Sequence, residues 1–106
     1  MNLEEHLERQ QKFSAKTFGP PTNNNWRGAI NHIRKELLEI EEDPTDLEEW
    51  IDVILLAFDG AWRSQGGAVS PREIVDTLAA KLSKNENRSW PDWKKAEPGK
   101  AIEHIE

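Results

Sequence analysis

The feature that most constrains this chain is a pair of amphipathic segments separated only by Asp43-Pro44-Thr45. Upstream, Ile30, Ile33, Leu37 and Ile40 recur at helical spacing; downstream, Leu47, Ile51, Ile54, Leu55, Phe58 and Trp62 do the same. Apolar residues three and four apart share one face of an α-helix. The proline ends the first helix, because it lacks an amide hydrogen and disfavours helix in the residue before it. A break this short makes the next helix double back, so the two should form an antiparallel hairpin. The predicted spans are residues 26–42, capped by Asn24 or Asn25, and residues 46–64, with Thr45 as N-cap and Glu48 completing a capping box.

Two more helices flank this pair. Residues 2–16 carry a sparse face of Leu3, Leu7 and Phe13, and a Gly/Pro/Asn-rich turn follows at residues 18–25. Gln65-Gly66-Gly67 closes the third helix. Ser70-Pro71 then opens a fourth in cap-then-proline order, with Glu73 at the capping-box position and Ile74, Val75, Leu78 and Leu82 facing inward. After Asn85 the periodicity is lost. Trp90-Pro91-Asp92-Trp93 and Pro98-Gly99 predict an irregular arm with at most one late helical turn. The expected fold is all-α: a four-helix bundle in one domain, residues 1–106, with a helical core at 1–86 and a C-terminal arm at 87–106.

Composition narrows the possible functions. With 106 residues and 36% hydrophobic content, a lone core is thin, so a homodimer or homotetramer is expected. A formal charge of −6 argues against a nucleic-acid polymer as partner, since phosphate backbones are bound by clustered Lys and Arg. The absence of cysteine excludes disulfides, thiolate metal sites and cysteine nucleophiles. The start MNLEEHLERQ has no apolar targeting stretch, and the longest apolar run, residues 53–58, is far short of a membrane span. A cytoplasmic protein, bacterial or in a phage-infected cell, is the expectation.

The chemistry lies in the acidic pairs. Glu36 and Glu39 stand three apart on the second helix, and Glu49 and Asp52 three apart on the third. Asp59 and Arg63 fall in the same arc of the third helix as Glu49 and Asp52, and His32 shares the acidic edge of the second. Both edges border the apolar stripes, so packing the stripes together brings the edges together. Facing carboxylates repel in a partly desolvated cleft, and a hard divalent cation with oxygen ligands removes the repulsion. Two such ions can also activate water and stabilise entering and leaving oxygens. The other reading of such spacing is a solvated acidic face, and with it a non-catalytic acidic interaction module or DNA mimic.

The segment HIRKELLEIEEDPTDLEEWIDVILLAFDGAWR, residues 32–63, resembles the MazG-like all-α nucleoside triphosphate pyrophosphohydrolases, whose signature is ExxE, a spacer and ExxD. More narrowly it is similar to the dATP/dGTP diphosphohydrolase N-terminal family, which includes the phage MazZ-type enzymes. The likeness extends to FSAKTFGP at residues 13–20, KLSKNENRSWPDW at residues 81–93 and the terminal AIEH. The resemblance implies a MazG-like bundle that hydrolyses a purine dNTP, dGTP or dATP, to the monophosphate and pyrophosphate by water attack at the α-phosphorus. In a phage this would feed dGMP to synthesis of 2-aminoadenine DNA.

By position, the resemblance makes Glu36, Glu39, Glu49 and Asp52 ligands of two or three Mg²⁺ or Mn²⁺ ions, with Glu39 or Glu36 as general base. Asp59 would hold a metal-bound water, a further ion or the sugar 3′-hydroxyl. Lys81, Lys84, Asn85 and Arg88 match the phosphate-holding run, and a basic cluster there equally suits the C-terminal dipole of the fourth helix. Arg63 is a further candidate, with an ion pair as its other reading. Trp26, Trp62, Phe13 and Phe18 could stack on a purine or pack the core, and residues 23–25 could read the base edge. Trp90 and Trp93 are expected to anchor the tail.

Overall fold

The computed structural model describes residues 1–105 and is all-α. Four helices follow one another: α1 (Leu3–Phe18), α2 (Trp26–Glu42), α3 (Leu47–Ser64) and α4 (Pro71–Glu86). A 3₁₀ turn (Pro21–Asn23) lies between α1 and α2, and a second (Trp93–Lys95) lies in the C-terminal arm. The chain divides into two compact units, residues 1–74 and 75–106, with the division inside α4. Among the described residues, no helix is long and apolar enough to cross a membrane.

Polar caps fix the helix starts. Asn2 Oδ1 accepts from the amide of Glu5 at 2.8 Å, and Glu4 and Glu5 complement the dipole of the first turn. Asn25 Oδ1 accepts from the amide of Gly28 at 3.2 Å, and Ser70 Oγ from the amide of Glu73 at 3.1 Å. At α3 the cap is Asp46, whose Oδ1 accepts from the amide of Glu48 at 3.1 Å, and not Thr45. The Thr45 hydroxyl is already committed, donating to Asp43 Oδ1 at 3.0 Å within the turn. Trp50 Nε1 then donates to Pro44 O at 2.9 Å, tying the first turn of α3 back onto the loop.

In the first unit α2 and α3 pack along their lengths as the predicted hairpin, and α1 lies against α3. The face that α2 turns inward is rotated from the one its sequence suggests. Ala29, Glu36 and Ile40 are buried and Ile33 is half-buried, whereas Ile30 and Leu37 are 39% and 44% exposed. On α3, Trp62 and Arg63 are buried, while Leu47, Ile51 and Ile54 stay outside. The two helices approach closely where a Cβ on Gly60 would stand 3.1 Å from the Cβ of Ala29. Among the described residues the buried apolar interior is small: Leu7, Ala29, Ile40 and Trp62.

Polar bonds attach α1 to α3. Gln10 Nε2 donates to Leu55 O at 2.7 Å, and the Gln10 amide oxygen lies 2.9 Å from His6 Nε2. Farther along, buried Ser14 and Arg63 meet. After α3, Gly67 has φ 80°, its amide donates to Trp62 O at 3.0 Å, and a Cβ there would overlap the Pro21 ring. Gly67→Ala should therefore destabilise the protein by about 1–3 kcal/mol in chemical denaturation. Gly66→Ala should cost less, because its Cβ would meet only the Asn24 side chain, at 3.2 Å.

Candidate metal centre

Rotation of α2 puts Glu36 inside, 8% exposed, opposite the first two turns of α3. One carboxylate oxygen each from Glu36, Glu49 and Asp52 lie within 4.8 Å of one another. Glu36 Oε1 sits 3.5 Å from His32 Nε2. Its other oxygen, Oε2, is enclosed without a hydrogen-bond partner, and so is Glu49 Oε2. Buried carboxylate oxygens without partners are costly and call for an explanation. Glu39 is exposed on α2 and stands outside that trio, at the rim of the site, near enough to Glu49 to help raise its pKa.

Crowding shows in the protonation of Glu49. Its pKa is pushed up from 4.5 to about 8, first by hydrogen bonding with Glu36, then by hydrogen bonding with Glu39, with enclosure and repulsion from both adding to it. Facing carboxylates repel one another, so Glu49 holds its proton well above the usual carboxylate range. An oxygen-only donor set from two helices, with two unpartnered oxygens, fits a hard divalent cation such as Mg²⁺ or Mn²⁺. Such an ion would displace the Glu49 proton and partner the orphaned oxygens.

Beside the carboxylates lies a cavity of about 250 Å³ between α1, α2 and α3. Glu36 and Asp52 line one side of it, and Phe13, Phe18, Leu55 and Leu56 make it largely apolar. The Phe13 and Phe18 rings stand edge to face, 6.0 Å between centroids, and remain 60% and 63% exposed. Asp59 also lines the cavity. Its Oδ1 accepts from Ser14 Oγ at 2.5 Å and its Oδ2 from Arg63 Nε at 2.9 Å. A second hollow of about 230 Å³, also lined by Phe18, His32, Leu56 and Asp59, reaches Asn25 and Gly28 at the start of α2.

The remaining candidates are spread out. Arg63 is only 2% exposed, and its guanidinium is engaged by Asp59, Ser14, Gly19 and Pro20. Trp26 lines a separate hollow with Ala29, Ile33 and Gly60, and the Arg27 guanidinium lies 4.7 Å over its ring. Lys81, Lys84, Asn85 and Arg88 belong to the second unit. There Arg88 Nη1 donates to Asn85 Oδ1 at 3.1 Å, and Trp90 Nε1 donates to Asn85 O at 2.7 Å. The arm closes on itself where the Ile105 amide donates to Ser89 O at 2.8 Å and His104 meets the Trp90 ring edge to face. Sequence reasoning missed Gln10 and Ser14 as parts of the site wall. A serine seven residues after Leu7, on the same stripe of α1, was the available signal.

The pKa of Glu49 gives a signed prediction. A carboxyl whose pKa is higher in the folded chain favours folding while it is protonated. That contribution is complete below about pH 4.5 and is lost as pH rises through about 8. Metal-free protein should therefore lose thermal stability across this window. Added Mn²⁺ should raise Tm more at pH 8.5 than at pH 6, and Glu49→Gln should flatten the metal-free profile.

One comparison with known proteins bears on this chemistry. A search of curated proteins and one of solved structures each find no match. The family model described as dATP/dGTP pyrophosphohydrolase matches residues 6–106, nearly the whole chain and all of the acidic site. With that match and a carboxylate cluster suited to a divalent cation, the chain belongs to the dATP/dGTP pyrophosphohydrolase family.

Proposed function

We propose that this protein hydrolyses a purine deoxynucleoside triphosphate, dGTP or dATP, to the monophosphate and pyrophosphate. The observation that carries this reading is the meeting of Glu36, Glu49 and Asp52 at the edge of an aromatic-walled cavity, in a chain of this family. Glu36, Glu49 and Asp52, with Glu39 at the rim, would hold two or three Mg²⁺ or Mn²⁺ ions. Those ions, when bound, supply positive charge to the triphosphate and acidify water.

The residues of the chain divide the remaining work. Glu39, exposed at the rim, takes the proton from the attacking water, with Glu36 the other candidate base. The water oxygen bonds to the α-phosphorus as the bond to the bridging oxygen breaks, and pyrophosphate leaves. Phe13 and Phe18 offer ring surface to the base, and the cavity excludes water around it. Asp59, already neutralised by Arg63, retains acceptor capacity for the sugar 3′-hydroxyl. Lys81, Lys84, Asn85 and Arg88 are assigned to phosphate contact by residue type and by likeness to the family, and Trp26 is kept as a substrate contact on the same footing. A homodimer or homotetramer, covering Leu47, Ile51 and Ile54, in a bacterial or phage-infected cytosol completes the proposal. In a phage the product dGMP would serve 2-aminoadenine DNA.

The test is pyrophosphate release from each dNTP with Mg²⁺ or Mn²⁺. Glu36→Gln with Asp52→Asn should abolish release while leaving Tm of metal-free protein unchanged or higher, since it relieves crowding. Glu39→Gln should lower kcat by about 10²–10⁴-fold. No release from any dNTP by the unaltered protein would refute the reading.

A further inference from the structure

We propose that Arg63 is a positioning residue that sets the affinity for the nucleoside part of the substrate by anchoring the Phe13–Phe18 wall, without touching substrate itself. The inference rests on the hydrolase reading for its kinetic consequence, but not for its structural one.

The wall needs an anchor. Phe13 lies in the last two turns of α1, and Phe18 is its final residue. Both rings are mostly exposed and contact each other edge to face. Beyond them the chain turns through Gly19, at φ 96°, into Pro20 and Pro21. Prolines carry no amide hydrogen, so Pro20 and Pro21 offer no backbone donors, and the local ties of this stretch come only after them, where the amides of Asn23 and Asn24 donate to Pro20 O at 3.4 Å and Pro21 O at 3.0 Å.

Arg63 supplies those donors from α3. Its Nη2 donates to Ser14 Oγ at 2.7 Å, to Gly19 O at 3.0 Å and to Ser14 O at 3.3 Å. Its Nη1 reaches Pro20 O at 3.4 Å and Asn23 Oδ1 at 3.5 Å. Its Nε is held by Asp59 at 2.9 Å, and Ser14 Oγ closes the circuit by donating to Asp59. Outside α3, the two residues gripped hardest, Ser14 and Gly19, are the chain neighbours of Phe13 and Phe18. The Arg63 side chain is 3% exposed and its donors are spent inside the protein, so a triphosphate would have to break these bonds to use them.

Only a planar fork with five donors serves all these acceptors at once; an ammonium on a flexible stem cannot. Arg63→Lys is thus the informative variant, because it keeps the charge beside Asp59 and protects the fold. The experiment combines amide hydrogen exchange with steady-state kinetics on dGTP and competition by inorganic tripolyphosphate, which has the phosphates but no nucleoside. In Arg63→Lys, exchange at residues 14–19 and 22–24 should accelerate while the α2–α3 hairpin stays protected. KM for dGTP should rise about tenfold, with a smaller change in kcat, and inhibition by tripolyphosphate should be unchanged. In a Phe13→Ala/Phe18→Ala background, adding Arg63→Lys should raise KM no further, because the wall it positions is gone.

Unchanged exchange would overturn the inference. A matching loss of tripolyphosphate inhibition would also overturn it, as would a KM increase that persists without the two rings, because either marks a direct substrate contact. If the unaltered protein hydrolyses no dNTP, the hydrolase reading fails, and the exchange comparison alone decides whether Arg63 anchors the wall.

Discussion

Like-charge crowding across one helix pair organises this molecule. Packing α2 on α3 brings Glu36 into the interface with Glu49 and Asp52. An apolar side chain at position 36 would favour folding more, and the raised pKa of Glu49 reflects the cost of a carboxylate there. The hairpin tolerates this because its loop is closely tied and its far end is well packed. The burden is concentrated where a cation can relieve it, so the least comfortable part of the fold is the part with chemical purpose.

The attachment of α1 follows a different logic. An apolar contact slides easily, because it has no directional preference. The bonds from Gln10 to Leu55 O and from Arg63 to Ser14 and Gly19 are directional, and fix both the rotation and the register of α1 against α3. This matters because α1 contributes the aromatic side of the cavity, while α2 and α3 contribute its carboxylates. With so few residues fully buried and apolar, the relative placement of these two halves is held by donors and acceptors more than by oil.

Much of this was legible in the sequence. Helix periodicity, proline breaks and cap residues placed all four helices, and the short loop made the hairpin almost unavoidable. ExxE and ExxD at helical spacing located the acidic rims. What sequence missed was rotation. Ile30 and Leu37 look like core from spacing alone, yet the face that packs is Ala29, Ile33, Glu36 and Ile40. A small residue at 29 opposite Gly60 permits close approach there, and that steric fit outweighs the larger apolar areas of Ile30 and Leu37. Thr45 was the expected cap of α3, but the Asp43 turn claims the threonine hydroxyl and Asp46 caps the helix instead. Apart from Asp59, one turn back on α3, the acceptors of Arg63 lie forty or more residues away, so no local pattern reveals its burial.

The contact between Ala29 and Gly60 has one more consequence. It lies two turns of α2, about 10 Å, from Glu36. On the other side of Glu36, the Trp50 bond to Pro44 gathers the loop. The acidic rims therefore sit on a beam supported at both ends, and the gap between them has little freedom to widen. A calliper of this kind would grade ions by radius: Mg²⁺, with oxygen distances near 2.1 Å, would ask less of it than Ca²⁺, which needs roughly 2.3–2.6 Å and more ligands.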